Sequence, residues 1–279
     1  MTNESQIAAH YAHDHLYETI LKALASEGKM PGAITRQDLA PIDEFHVRGQ
    51  EVSRELATAA ALQQSMRVLD AGCGLGGACR LLAAEFGCAV TGIDITGDYI
   101  RTAEKLSALT GLQHHIRFVQ GSVLALPFGG NAFDAVLTQH VQMNIADKKM
   151  AYAEINRVLR TGGRFIYYDI LGKAEPVHYP VPWAGDASLS FLITSQQLHT
   201  LLTETGFQRI QVTDETEKGI GFFNKLFTRI AQKGIPALGL HLLMGDAAQQ
   251  QLNNLRSNLI EERVVLESGI YEKVDGLTC

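Results

Sequence analysis

The stretch Arg67 to Gly77, RVLDAGCGLGG, holds the residues best placed to bind a small ligand. Arg67, Val68 and Leu69 read as a buried strand. Asp70, Gly72, Gly74, Gly76 and Gly77 then read as a tight turn ahead of a helix over Ala78 to Phe86. Glycines in such a turn let a ligand approach the backbone amides at a helix start, and Gly72, Gly74 and Gly77 satisfy a GxGxxG spacing. A second apolar run, Ala89 to Ile93, ends in Asp94, where a carboxylate can accept hydrogen bonds from ribose hydroxyls. Both features point to a nucleotide-like ligand.

Asp70 discriminates between such ligands. A diphosphate on the turn wants amide donors, and a neighbouring carboxylate repels it. S-adenosylmethionine has an adenosine end but no phosphate, and its sulfonium and ammonium groups are attracted by an acid. The residues therefore favour adenosylmethionine, with a nicotinamide dinucleotide and a ligand-free glycine turn as alternatives. The loop holding Gln139, His140, Gln142 and Asn144 follows a predicted strand, at the sheet edge where open α/β proteins bind ligands. His140 can act there as a base, as a positioning group or as a core polar residue. Phe45, His46 and Arg48 stand just ahead of the first core helix, with one of them a candidate for the site and a surface role as the alternative. Tyr179 and Trp183 lie in the proline-rich loop 172–186, read as a lid or as an aromatic plug.

These residues need a scaffold, and the chain of 279 residues is long enough for a substantial core. Its 46% hydrophobic content excludes wholesale disorder, and a net charge of −6 without a basic block disfavours nucleic acid as a partner. Cys73, Cys79, Cys88 and Cys279 form no CxxC pair, which fits a reduced compartment. No apolar stretch approaches a membrane span and the N-terminus lacks a signal core, so the expected location is cytoplasmic, without stable membrane insertion. His10, His13 and His15 crowd the N-terminal stretch, but their spacing does not place all three on one helical face and no bound metal is expected.

The elements alternate. A helix is expected over 5–27, irregular backbone over 28–49, and a helix over 51–61. Strands follow at 67–70, 89–93, 116–120, 135–138 and 164–169, with helices at 78–86 and 98–109 and another after Asp147 that turns Met150, Ala151, Ile155, Val158 and Leu159 inward. A helix from Thr194, a strand at 207–212, a helical insertion over 216–262 and a last strand at 264–272 complete a doubly wound α/β sheet. Residues 1–60 form an N-terminal helical extension covering the site, and 61–279 the main domain. The aromatic stripe Phe222 to Phe227 suits either an intramolecular cap or a homodimer contact.

VLDAGCGLGG, GIDIT, GSVLALPF, FDAVLTQHV and INRVLRTGGRF together resemble the class I S-adenosylmethionine-dependent methyltransferases over roughly residues 60–214 and the final strand. The resemblance implies seven strands in order 3-2-1-4-5-7-6, with the seventh antiparallel. It implies that Asp70, Gly72 and Gly74 meet the methionine end of the cofactor, Asp94 the ribose, and Ile95, Ser122 and Val123 the adenine, with Gln139 and His140 near the sulfonium. Many relatives carry an acid where this chain has Ser122. LAPIDEFHVRG, TQHVQMNIADK and YPVPWA resemble small-molecule methyltransferases of the sarcosine and dimethylglycine type. They imply an amine acceptor such as a glycine derivative, with His140 and Tyr11 catalytic and His46, Asn144 and Trp183 around the substrate. Asn144 departs from the histidine of phosphoethanolamine enzymes. The alternatives are C- or O-methylation of a quinol, phenol or isoprenoid, a nicotinamide-dependent oxidoreductase, and a non-catalytic adenosylmethionine-binding protein.

Overall fold

The computed structural model describes residues 3–12 and 15–274, so His13 and Cys279 lie outside the described residues. Four helices precede the sheet: α1 (Asn3–His10), α2 (Leu16–Ser26), α3 (Arg36–Asp43) and α4 (Gln50–Ala59). The core then alternates β1 (Arg67–Ala71), α5 (Gly77–Phe86), β2 (Ala89–Asp94), α6 (Gly97–Leu109), β3 (Ile116–Gln120), β4 (Phe133–Gln139), α7 (Lys148–Val158) and β5 (Leu159–Gly172). After it come α8 (Ser195–Glu204), β6 (Phe207–Asp214), α9 (Thr216–Lys233), α10 (His241–Met244), α11 (Ala248–Ile260) and β7 (Val264–Lys273).

The seven strands run in the order β3-β2-β1-β4-β5-β7-β6, as expected, with β7 antiparallel to both β5 and β6. Strand alternation separates the two faces. Ile166 and Tyr168 of β5 join Leu81 of α5, Phe223 of α9 and Leu259 of α11 in one core. Phe165 and Tyr167 face the other way, against Tyr152 and Ile155 of α7 and Leu198 and Leu202 of α8. The helical insertion thus packs on its own sheet: Phe223 is buried in this core, and Phe222, Leu226 and Phe227 are partly buried against it.

Three expectations need correction. The helix expected over 5–27 is two helices, with His15 in the left-handed region at φ 58°. They serve different surfaces: Leu16, Ile20 and Leu24 of α2 are buried, whereas α1 has no fully buried residue and lies along a pocket. The segment 28–49 is not irregular throughout, because a capping box of Thr35 and Asp38 starts α3. Met150 points to solvent rather than inward, since its place in the first turn of α7, where its amide donates to the Asp147 cap, directs the side chain off the core face.

Parallel strands place their carboxyl ends along one edge, so Asp70, Asp94 and Gln139, near the ends of β1, β2 and β4, approach one another. Among the described residues no helix is long and apolar enough to cross a membrane.

Candidate active site

The glycine turn is built on close contact. The amides of Gly72 and Cys73 both donate to the Ile93 carbonyl, at 2.8 and 3.0 Å, fastening the turn to β2. Gly72 has φ +86°, and a Cβ there would lie 2.4 Å from a methyl of Val141, so both conformation and space require glycine. The Gly74 amide donates to the Asp94 carboxylate at 2.9 Å, and that carboxylate also accepts from the Thr96 amide at 2.8 Å. Asp94 therefore shapes the turn, while its oxygens keep lone pairs for further donors. Asp70 is 3% exposed and accepts from the Cys79 thiol at 3.2 Å. Burial pushes its carboxyl up to about 7, against the pull of the Cys79 thiol and of His46.

Across the pocket, His140 occupies the left-handed region at φ 53° and its amide donates to the Tyr168 carbonyl at 2.8 Å. Its ring stacks on Tyr168 with centroids 5.4 Å apart, and the His46 ring lies 5.9 Å from both. Burial, then the neighbouring His46, holds the His140 imidazole well below the ordinary histidine range. His140 Nε2 has no hydrogen-bond partner among the described residues. The turn that carries it is fixed by Asp169, which accepts from the amides of Val141 at 2.7 Å and Gln142 at 3.2 Å. Behind these rings, His46 Nε2 sits 3.0 Å from Glu44, while Ser53 donates to Glu44 and accepts from the Gln139 amide at 3.0 Å.

Helix α1 closes the opposite wall. Tyr11, just beyond its end, donates to Asn144 Oδ1 at 2.9 Å, and Asn144 Nδ2 in turn donates to the carbonyls of Trp183 and Leu189. Burial, reinforced by Asp94, keeps the Tyr11 phenol above its ordinary range and so protonated.

The same pocket is lined by Asp70, Gly72, Gly74, Asp94, Ile95 and Val123, and by Gln139, His140, Tyr11, His46 and Asn144. Ser122 lies behind Glu4, to which it donates a hydrogen bond. Trp183 is outside the lining: its ring is buried and its indole N–H donates to Ser190 at 3.0 Å, so it supports Asn144 through its carbonyl alone. Arg48 turns away, bound to Glu55 at 2.6 Å and Glu215 at 3.1 Å. The sequence reading did not pick out Glu4, Ile7, Glu44, Tyr99 or Leu243, which also line the pocket. Tyr99 was accessible to it, standing five residues after Asp94 on the first turns of α6; Glu4 and Leu243 arrive from remote segments and leave no local signal.

A family model described as a methyltransferase domain matches residues 69–167, the segment from β1 to β5 that carries the glycine turn, Asp94 and His140. The chain has the class I S-adenosylmethionine-dependent methyltransferase fold. It is similar to the methyltransferase phqN of Penicillium fellutanum, 27% identical over 88% of this chain and 83% of that protein. It is 29% identical to the O-methyltransferase cnsE of Penicillium expansum over 80% of this chain and 81% of the relative. Among solved structures, the geranyl diphosphate C-methyltransferase of Streptomyces coelicolor A3(2) superposes with a TM-score of 0.71 at 15% identity, covering 98% of this chain and 99% of that one. That last likeness shows the shared fold.

The residues fit S-adenosylmethionine, the cofactor of this methyltransferase domain. The pocket lining carries Glu4, Asp43, Glu44, Asp70 and Asp94 and, among the described residues, no lysine or arginine, which suits a ligand with sulfonium and ammonium charges and opposes a diphosphate. His140 Nε2 and the Tyr99 hydroxyl are buried polar atoms without partners among the described residues, both on residues of this wall.

Proposed function

We propose that this methyltransferase methylates a carbon or oxygen of an uncharged, largely apolar small molecule of the phenol, quinol or isoprenoid kind. The observation that carries the proposal is the pocket wall, where apolar Ile7, Ile42, Phe45, Val141, Ile145 and Leu243 stand among carboxylates and, among the described residues, no lysine or arginine faces in. A glycine derivative brings a carboxylate and a phosphobase brings a phosphate; among the described residues no lysine or arginine of the wall pairs with either anion, so the amine reading loses support. The nearby cations are engaged elsewhere, Arg80 with Asp43 and Arg36 with Glu85 and Gln50. The O-methyltransferase relative, alike over four fifths of both chains, supports the same choice.

When bound, S-adenosylmethionine supplies an electrophilic methyl group on a positively charged sulfur. The chain's own residues orient the reactants and keep water out. Asp70 and Asp94 would hold the methionine and ribose parts of the cofactor, beside the glycine turn. α1 and Phe45 line the pocket and would shield a bound acceptor from water, so that alignment could contribute much of the rate. His140 Nε2 is free to accept the proton of an acceptor hydroxyl, or to order it by accepting a hydrogen bond.

The test is turnover with S-adenosylmethionine on phenols, quinols and isoprenoid alcohols, set against glycine, sarcosine, dimethylglycine and phosphoethanolamine. S-adenosylhomocysteine release is measured and the product identified by mass spectrometry. Methylation of the neutral panel is expected. Turnover confined to the charged amines overturns the proposal.

A further inference from the structure

On the adenosylmethionine reading, the position after β3 assigned to adenine is Ser122, which carries no charge, and α1 brings a carboxylate to it. The Ser122 hydroxyl donates to Glu4 Oε1 on α1, across 118 residues of chain, and accepts from the Leu124 amide at 2.9 Å. With its single proton given to Glu4, the serine has no donor left, and its role becomes one of aligning the carboxylate. Glu4 itself lines the pocket beside Ile95, Val123 and Leu124, the residues at the ends of β2 and β3.

We infer that Glu4 is the acid of the adenine subsite, accepting from the exocyclic amine and held in place by Ser122. The inference rests on the adenosylmethionine reading and extends it to a residue of α1: the acid reaches the adenine only while α1 is seated on the pocket. Glu4, Ile7 and Tyr11 follow one another at helical spacing along the pocket, so the Glu4 contact at one end and the Tyr11–Asn144 bond at the other fasten the same cover. Cofactor binding and closure of α1 are then one event, and a cofactor without the amine forfeits both.

The experiment is calorimetric titration of the full chain with S-adenosylhomocysteine and with S-inosylhomocysteine, in which a carbonyl replaces the amine. Amide hydrogen exchange over residues 3–12 is read in parallel. Wild type should prefer the adenosyl ligand, and Glu4→Gln should weaken that ligand by about tenfold while shrinking the preference, as expected for loss of a charge-assisted hydrogen bond. The adenosyl ligand should slow exchange over 3–12 in wild type and not in Glu4→Gln. Ser122→Asp, which places an acid on the sheet facing Glu4, should keep the preference but speed exchange over 3–12. An unchanged preference and unchanged protection in Glu4→Gln would overturn the assignment. Failure of wild type to bind S-adenosylhomocysteine at all would instead overturn the cofactor reading beneath it.

Discussion

The hydroxyl of Tyr11 donates a 2.9 Å hydrogen bond to the side-chain oxygen of Asn144, joining the segment after α1 to the loop after β4. Asn144 is itself held by two backbone carbonyls, to which its Nδ2 donates, so its oxygen is fixed in place for Tyr11. Tyr11→Phe keeps the ring, which packs 6.2 Å from Phe45 and 6.1 Å from Tyr99, and removes only the clasp. The expected result is faster hydrogen exchange over residues 3–12, a KM for cofactor raised about three- to tenfold, and a melting temperature within a few degrees of wild type. A large loss of kcat with KM unchanged would instead make the phenol part of the chemistry.

Asp94 shapes the glycine turn and is the proposed ribose acceptor, and its substitution should test both. Its carboxylate accepts from the Gly74 and Thr96 amides, so Asp94→Ala leaves two amides unpaired as well as removing the proposed ribose contact. The expected cost is about 1–3 kcal/mol of stability together with at least a tenfold loss of S-adenosylhomocysteine affinity. Asp94→Asn retains an acceptor and should fall between. Denaturant unfolding and calorimetry separate the two effects, and unchanged affinity in Asp94→Ala removes Asp94 from the cofactor site.

The sheet was legible because it is written locally. Each parallel strand is a short apolar run ending in a polar residue or glycine, and its order followed from the resemblance carried by the motifs around Asp70, Asp94 and His140. The floor of the site was legible for the same reason, since the ends of adjacent parallel strands must meet. The roof was not. α1 carries few apolar residues, and its placement depends on contacts made by Glu4 and Tyr11 to Ser122 and Asn144, more than 100 residues away. Trp183 illustrates the converse: an aromatic in a proline-rich loop reads as either a pocket wall or a core plug, and its ring packs in the core while its carbonyl holds Asn144. α3 was missed because Pro41 and the flanking glycines outweighed the Thr35–Asp38 capping box in reading the segment.

Asp70 gives the site a pH dependence of definite sign. Burial pushes its carboxyl up to about 7, and in its proposed role beside the cofactor only the ionised form would attract the ligand's ammonium. Affinity for S-adenosylhomocysteine should therefore rise with pH up to about 7 and level off above it, and Asp70→Asn should flatten the curve. The stability effect runs the other way. The folded value lies above the ordinary 3.8, so the ionised carboxylate destabilises the free protein, fully above pH 7 and not below the ordinary value. Asp70→Asn should raise the melting temperature of the free protein at pH 8 by roughly 2–4 °C while weakening cofactor binding. A lower melting temperature at that pH would contradict the buried-charge argument.

His140 is best tested by asparagine rather than alanine. Its φ of 53° is a conformation that asparagine tolerates and alanine resists, so His140→Asn removes the imidazole without straining the turn held by Asp169. Because burial keeps the ring neutral, its own protonation lies well below pH 6.5 and should leave no limb near that pH in the wild-type profile. A neutral ring with an unpartnered Nε2 is ready to take a proton from a hydroxyl acceptor, and loss of such a group costs about 100-fold or more in kcat. The expected outcome for His140→Asn is that loss with S-adenosylhomocysteine affinity within about threefold of wild type, a tolerance well under the tenfold that each 1.4 kcal/mol represents. An acceptor that transfers no proton, such as a preformed phenolate assayed at high pH, should recover part of the rate. Equal losses in affinity and turnover, with no recovery at high pH, would make His140 a residue that positions the cofactor instead.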